Sequence, residues 1–202
     1  MVRPRSFDKD TAVRSAEEVF RRTGYAGTSL DDITEATGLG RGSIYAAFGD
    51  KHGLFMEALG DYGTKTMCEI ASALEGPDEE ALGRLRQFVS TSPSFVLEDV
   101  DMRGCMAGKM AHELGGHDTE AIDKIASIFA AFTKLLVAAI EAAQRAGDIA
   151  ADLDAGSLAA SILAFTRGID ILAKGGVPAD EVIAAAATTA DLLFPLRAAA
   201  HA

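Results

Sequence analysis

Three groups of residues in this chain have types and spacings that could do chemistry. Arg41, Gly42, Ser43 and Tyr45 fall close together, with Thr28 and Ser29 upstream and Lys51 downstream. They offer hydroxyls, a guanidinium and an ammonium, a set that grips a polyanion rather than turning over a substrate. Cys105 follows Arg103-Gly104 near an expected helix start, where the helix dipole and a nearby cation favour thiolate over thiol. Lys174 is a second cation for that thiol if the helices bring the two together; the alternative is that Cys105 packs as a small buried residue. Met102, Cys105, Met106 and Met110 gather soft sulfur that would suit Cu(I). Methionines equally fill irregular cores, and that is the reading adopted here, with no metal and no cofactor expected.

Catalytic patterns are missing from the sequence. It has no His-Glu-x-x-His, no phosphate-binding P-loop, and no Ser/His/Asp spacing; its four histidines are scattered. Gly38-Leu39-Gly40-Arg41-Gly42 superficially resembles a nucleotide-binding glycine loop, but its third spacing is wrong and a helix precedes it where a strand is required. No enzyme is expected.

The first group must be positioned by short helices. Ser29-x-x-Asp32 is close to a capping box, and Leu30, Ile33 and Ala36 recur at helical spacing until Gly38, a residue suited to a left-handed stop. A second helix over about 41–48 has only Ile44 and Phe48 as clear core residues, leaving Arg41, Gly42, Ser43 and Tyr45 outward. A helix-turn-helix needs such a second helix: anchored on one side, small and polar on the side that enters a major groove. Ahead of both, a helix from about Asp8 to Thr23 turns Ala12, Ala16, Val19 and Phe20 inward, and Arg3 and Arg5 sit in an arm that could reach a minor groove. Behind them, Asp50 caps a helix running to about Leu74 with Lys51 in its first turn, where a phosphate would resolve an otherwise misplaced positive charge.

The order Thr28-Ser29-Leu30-x-x-Ile33, then Gly38-Leu39-Gly40-Arg41-Gly42-Ser43-Ile44-Tyr45-x-x-Phe48-x-x-Lys51-x-x-Leu54-Phe55, resembles the DNA-binding signature of the tetracycline-repressor (TetR) family. The match covers roughly residues 7–60. It departs at Gly40, where the family often has Ser, and at His52, where Glu is common. Glycine is tolerated at a helix N-cap. A looser likeness over 103–193, carried by Arg-Gly-Cys-Met and Ala-Gly-Asp-Ile among other segments, is similar to a subgroup with a Gly-Cys motif that includes electrophile-responsive repressors.

Charge first argues against a DNA partner, then for one. The net charge is −11, yet residues 1–52 hold 8 basic and 8 acidic residues, so the excess acid belongs to residues 53–202. A neutral head on an acidic body would meet DNA head-first. There is no secretory leader in MVRPRSFDKD, and the best membrane candidate, 128–143, is short and interrupted by Lys134 and Glu141. A cytoplasmic protein with no membrane partner is expected. Cys68 and Cys105 make no disulfide framework.

The body reads as further helices, with stripes such as Ile122, Ile125, Phe129, Phe132, Leu136 and Ile140. A helix begins at Asp78 and ends or kinks at Pro93; the last starts with Pro178 in its first turn. The last two helices are apolar almost all round, so a second subunit covering them as a four-helix bundle is expected, as the family resemblance also implies. Ile162 or Ile169 would face that partner. Phe88, Phe95, Met106, Met110, Phe129, Phe132 and Phe165, with Arg167, Thr133 and Thr166 as polar contacts, are candidates for a small-molecule pocket or equally for plain core.

The sequence therefore predicts an all-α chain of about nine helices. Residues 1–52 form a three-helix DNA-binding head and 53–202 a ligand-binding and dimerisation body. The predicted function is a ligand-responsive regulator, a repressor released from a near-palindromic double-stranded DNA operator when a small-molecule effector binds the homodimer. Two alternatives stand: a helical small-molecule-binding protein or enzyme that retains a helix-turn-helix, and a thiol-based sensor acting through Cys105.

Overall fold

The computed structural model describes residues 7–99, 101 and 103–195; Arg3, Arg5 and Met102 lie outside them. Among the described residues every regular element is helical. In order these are α1 (Lys9–Thr23), α2 (Leu30–Thr37), α3 (Arg41–Phe48), α4 (Lys51–Leu74), α5 (Ala81–Ser90), α6 (Ser94–Leu97), α7 (Met106–Leu114), α8 (Thr119–Arg145), α9 (Ala155–Lys174) and α10 (Ala179–Leu193). The predicted count of about nine is one short. After Pro93 the chain makes one further turn of helix, α6, instead of simply ending α5.

The chain divides by contact into two compact units, Met1–Thr66 with Met106–Ile128, and Met67–Cys105 with Phe129–Ala202. In the first, helix ends follow local capping chemistry. Asp8 accepts from the Asp10 backbone N–H, and Ser29 and Asp32 complete a reciprocal capping box. Asp50 Oδ1 accepts from the Gly53 N–H at 2.8 Å. Gly38 ends α2 at φ +67, a left-handed conformation in which a side chain would be strained. The apolar faces so aligned meet in a core of Ala16, Val19, Phe20, Ile33, Ile44, Leu54, Phe55 and Leu59, all buried. Phe55 is its hub, edge-on to Phe20 at 5.2 Å between ring centroids and tilted against Tyr25 at 4.8 Å.

The second unit closes around Leu85, Phe88, Phe132, Leu136, Ile140, Ile162 and Phe194. Burying one such side chain contributes about 1.5–3 kcal/mol, so this layer supplies most of the unit's cohesion. Two arginines of α5 serve as caps for other helices. Arg84 donates to Leu74 O at 3.0 Å and Pro77 O at 2.8 Å, satisfying the end of α4, and Arg86 donates to the Asp191 carboxylate in the last turn of α10 and to Phe194 O just beyond it.

Three expectations are corrected here. Ile162 and Ile169 do not face outward but are buried within the chain. On α9 and α10 the exposed large apolar residues are Ile171 (70% exposed), Leu172, Ile183 and Leu192 (77%). When a helix is apolar on most sides, spacing alone cannot say which side meets its own subunit. Pro178 stands one residue before α10 as its N-cap rather than within the first turn. The apolar run at 128–143 belongs to a 27-residue helix; α8 and α9 are each long and apolar enough by composition to cross a membrane. Both place a stripe in the soluble-type core, Phe132, Leu136 and Ile140 from α8 and Leu158, Ala159 and Ile162 from α9.

Candidate functional site

The best-formed constellation is α2–turn–α3. Gly38 and Gly40 make the turn, Gly40 serves as the N-cap of α3 without a side chain, and Ile44 and Phe48 pin α3 to the core. That leaves Arg41, Gly42, Ser43 and Tyr45 exposed on one short helix whose outer face carries no bulk except the arginine and the tyrosine. Arg41 Nη2 donates to Asp31 Oδ1 of α2 at 2.7 Å. The Asp31 hydrogen bond and its charge raise the already high pKa of the guanidinium. Ser29 is exposed, while its hydroxyl and backbone are engaged with Asp32. A carboxylate that accepts hydrogen bonds from the Ser29 side chain and backbone is held below the usual aspartate range.

Two of the expected DNA-contact residues have internal roles. Thr28 is 1% exposed; its hydroxyl donates to Gly24 O at 2.6 Å and lies 2.7 Å from the Thr23 hydroxyl. It fastens the α1–α2 loop and has no free face for a phosphate. Lys51 is half-buried; its ammonium donates to Tyr25 O and Thr28 O, each at 3.0 Å, and sits 4.2 Å from the Tyr25 ring centroid. An ammonium has three donors, so Lys51 bridges the loop and keeps one N–H for another acceptor.

Further residues that the sequence reading passed over hold the same loop. The Glu113 carboxylate of α7 accepts from the backbone N–H groups of Tyr25 and Ala26. Lys109, one turn earlier, donates to Arg21 O at 3.0 Å and Arg22 O at 2.9 Å, where α1 runs out of intrahelical partners. His52 Nε2 lies 2.9 Å from Asp118 Oδ2, and Asp118 caps α8 through the Ala121 N–H at 3.0 Å. The Ala121 hydrogen bond, then the His52 contact, outweigh burial and lower the Asp118 pKa. Each pair is separated by more than 60 positions, so no local signal could have revealed it.

Of the expected ligand residues, the second unit brings four together. Phe88 meets Phe132 edge-on at 5.8 Å and Phe95 at 6.4 Å, and the Arg167 guanidinium lies 5.8 Å from the Phe132 ring. Phe95 is 56% exposed, and Arg167 pairs with Asp170 at 3.2 Å. Phe129 and Phe165 are half-buried. Thr133 and Thr166 turn their hydroxyls back onto Phe129 O and Leu163 O of their own helices. Met106 and Met110 are fully buried core of the first unit. Cys105 forms no disulfide and is half-buried directly before α7. Gly104 beside it has φ +57, and a Cβ placed there would stand 2.8 Å from Lys174 Cε and 2.9 Å from its Nζ. The lysine end therefore lies against the peptide that carries Cys105.

Known proteins agree with this geometry. Residues 12–58 match the model for bacterial regulatory proteins of the tetR family, and residues 81–176 match the tetracyclin repressor-like C-terminal domain. The HTH-type transcriptional repressor ComR of Escherichia coli (strain K12) is 27% identical over 93% of this chain and 89% of its own length. YezE, an HTH-type regulator of Bacillus subtilis (strain 168), is 36% identical over 59% of this chain and 79% of its own. Among solved structures, a cysteine-substituted CifR, a TetR family transcriptional regulator bound to 26-base-pair double-strand operator DNA, is 31% identical. It superposes with a TM-score of 0.81 over 96% of this chain and 100% of that one.

The chain belongs to the TetR family.

As a TetR-family protein it is a ligand-responsive, DNA-binding transcriptional regulator, and α2–turn–α3 is its helix-turn-helix. Membership also accounts for the uneven match between sequence and site. The exposed groups of α3 are local in sequence and stand out by their spacing, whereas those that hold the first unit together are spread over α1, α4, α7 and α8.

Proposed function

We propose that this TetR-family regulator is a homodimeric, cytoplasmic repressor. Residues 1–52 bind a near-palindromic operator and residues 53–202 bind the effector and the partner subunit. The observation that carries the reading is the exposed polar face of α3, Arg41 to Tyr45, on a helix otherwise locked by Ile44 and Phe48. Such a helix enters a major groove with its first residues toward base edges. Ser29 and the remaining N–H of Lys51 supply phosphate contacts. Ile171, Leu172, Ile183 and Leu192 form the dimer face on α9 and α10. An effector held near Phe88, Phe132 and Arg167 favours release only as far as it binds the released state more tightly. Random-site selection with the full-length protein, followed by a gel shift on the upstream region of its own gene, tests this. Recovery of a near-palindrome supports the reading, and failure to enrich any sequence defeats it.

A second reading is favoured by one observation, the Lys174 ammonium against Gly104. The Cys105 thiol would add across an activated double bond such as that of N-ethylmaleimide, its sulfur to one carbon and its proton to the other, beside the Lys174 ammonium and the Asp170 carboxylate that both lie against Gly104. This would make the chain one of the electrophile-responsive repressors. Operator release by N-ethylmaleimide that is lost in Cys105→Ser, retained in Cys68→Ser and slowed in Lys174→Met supports the idea. Release that persists in Cys105→Ser ends it.

A further inference from the structure

The helix-turn-helix has an unusual charge pattern for a surface that meets phosphates. Between Thr28 and Phe48 it carries Asp31, Asp32 and Glu35 against a single base, Arg41. Asp32 is engaged in the capping box. Asp31, at the second position of α2, instead reaches across to Arg41, the first residue of α3, at 2.7 Å, and their side chains are 76% and 57% exposed.

An exposed ion pair of this kind adds little to folding stability, because water screens it and two side chains must be ordered. Its position gives it another consequence. Arg41 stands at a helix N-terminus, where a positive charge is disfavoured and an untethered guanidinium would swing away. A loose arginine at a protein–DNA interface finds the nearest phosphate, a contact that carries no sequence information. With one N–H engaged by Asp31, the fork still has four donors, enough for a two-pronged contact to guanine O6 and N7. The carboxylate also repels neighbouring phosphates, which weakens binding to every sequence alike. Only the positioning effect changes the ratio of specific to sequence-independent affinity; the repulsion lowers both.

We propose that Asp31 is a specificity-determining positioning residue: it holds Arg41 for base readout and suppresses sequence-independent binding. This rests on the reading that α3 enters the major groove.

The test uses full-length protein, the duplex obtained by random-site selection and a scrambled duplex of the same composition, with fluorescence anisotropy over a salt series. Asp31→Asn should bind the scrambled duplex several-fold more tightly, steepen the salt dependence by about one unit, and lower the selected-to-scrambled affinity ratio by about tenfold. Asp31→Glu, which keeps the charge and can reach the same guanidinium, should retain most of that ratio. Arg41→Ala should erase the preference at one base position, and in that background Asp31→Asn should no longer change that preference. A steeper salt slope with an unchanged ratio would show plain repulsion and overturn the positioning role. Unchanged slope and ratio would overturn the proposal entirely. If Arg41→Ala alters no base preference, the groove reading for Arg41 fails instead, a distinguishable result. Circular dichroism and sedimentation of each variant confirm that the fold and assembly measured are those of the wild type.

Discussion

Both units have buried apolar cores, but the first adds polar side chains from several helices aimed at the backbone of one loop, whereas in the second the α5 arginines reach backbone groups only at helix ends. In the first, Thr28, Lys51, Lys109 and Glu113 each bond a main-chain atom of the α1–α2 region, and its helices α2 and α3 are only eight residues long. Helices that short are unstable alone, so their ends must be fixed by partners. In the second, α9 has 20 residues and α8 contributes 129–145, and facing Leu136, Ile140, Ile162 and Phe194 suffice. Directional contacts place a reading surface accurately. Layers of Leu, Ile and Phe tolerate repacking, which suits the effector-binding and subunit-joining role proposed for this region.

The largest expected effect breaks the second unit at its layer. Leu136→Ala removes a fully buried side chain from the core. It should lower unfolding free energy by about 2–5 kcal/mol, measured by urea denaturation. Ile171→Glu should leave that free energy of the isolated chain nearly unchanged, because Ile171 is already exposed. It should instead produce monomers by sedimentation and loss of operator binding. A dimer surviving Ile171→Glu together with Leu192→Glu would place the interface elsewhere.

In the first unit the corresponding break is polar. Glu113→Ala leaves two loop N–H groups without their carboxylate. The expected cost is about 2 kcal/mol, with weakened operator binding, since the loop leads directly into α2. Glu113→Gln keeps one oxygen acceptor and should recover part of the loss. If hydrogen exchange at the Tyr25 and Ala26 amides is the same in Glu113→Ala as in wild type, the clamp does not operate. Ser29→Ala, which removes one side of the capping box, should cost about 1 kcal/mol.

These two modes also explain what could be read in the sequence. Helix α3 was legible to the residue because Gly40, Ile44, Phe48 and Gly49 are all local marks, and α4 because Asp50 and Gly76-Pro77 bracket it. The capping box at Ser29 and Asp32 was visible for the same reason. Thr28 looked like a surface hydroxyl because its acceptor, Gly24 O, becomes available only when the loop folds back. The bonds from Lys51 to Tyr25 O and Thr28 O had no mark in the sequence because those partners lie more than 20 positions away. In α9 the reason was different. Ile162, Ile169 and Ile171 are one residue type on one helix, and only packing separates the buried pair from the exposed one.

The smallest expected effect is a pH dependence that should differ between the units. Asp8, Asp32 and Asp118 in the first unit, and Asp78 and Asp154 in the second, have pKa values below the ordinary aspartate value. For four of them the leading cause is a hydrogen bond at a helix N-terminus: from Thr11 to Asp8, from Ser29 to Asp32, and from the Ala121 and Ser157 backbones to Asp118 and Asp154. For Asp78 it is the hydrogen bond from Arg145. A carboxylate whose folded pKa lies below its unfolded value contributes stability that is present above the unfolded value, about 3.9 for aspartate. That contribution is lost as pH falls through about 4 toward the depressed folded values, because the unfolded chain then binds protons the folded chain refuses. Stability should therefore be flat in this respect above about pH 5 and fall steadily below it. Three of the five caps and pairs lie in the first unit, and among the helices they hold α2 buries only Ile33. Amide exchange in α2 should accordingly rise at a higher pH than exchange in α8 beyond Phe129. Asp32→Asn keeps an oxygen to accept from the Ser29 N–H while removing the titration, so it should flatten the acid limb for α2 without changing that of α9. Equal acid limbs in wild type and Asp32→Asn would mean that the capping box does not set the acid stability of the helix-turn-helix.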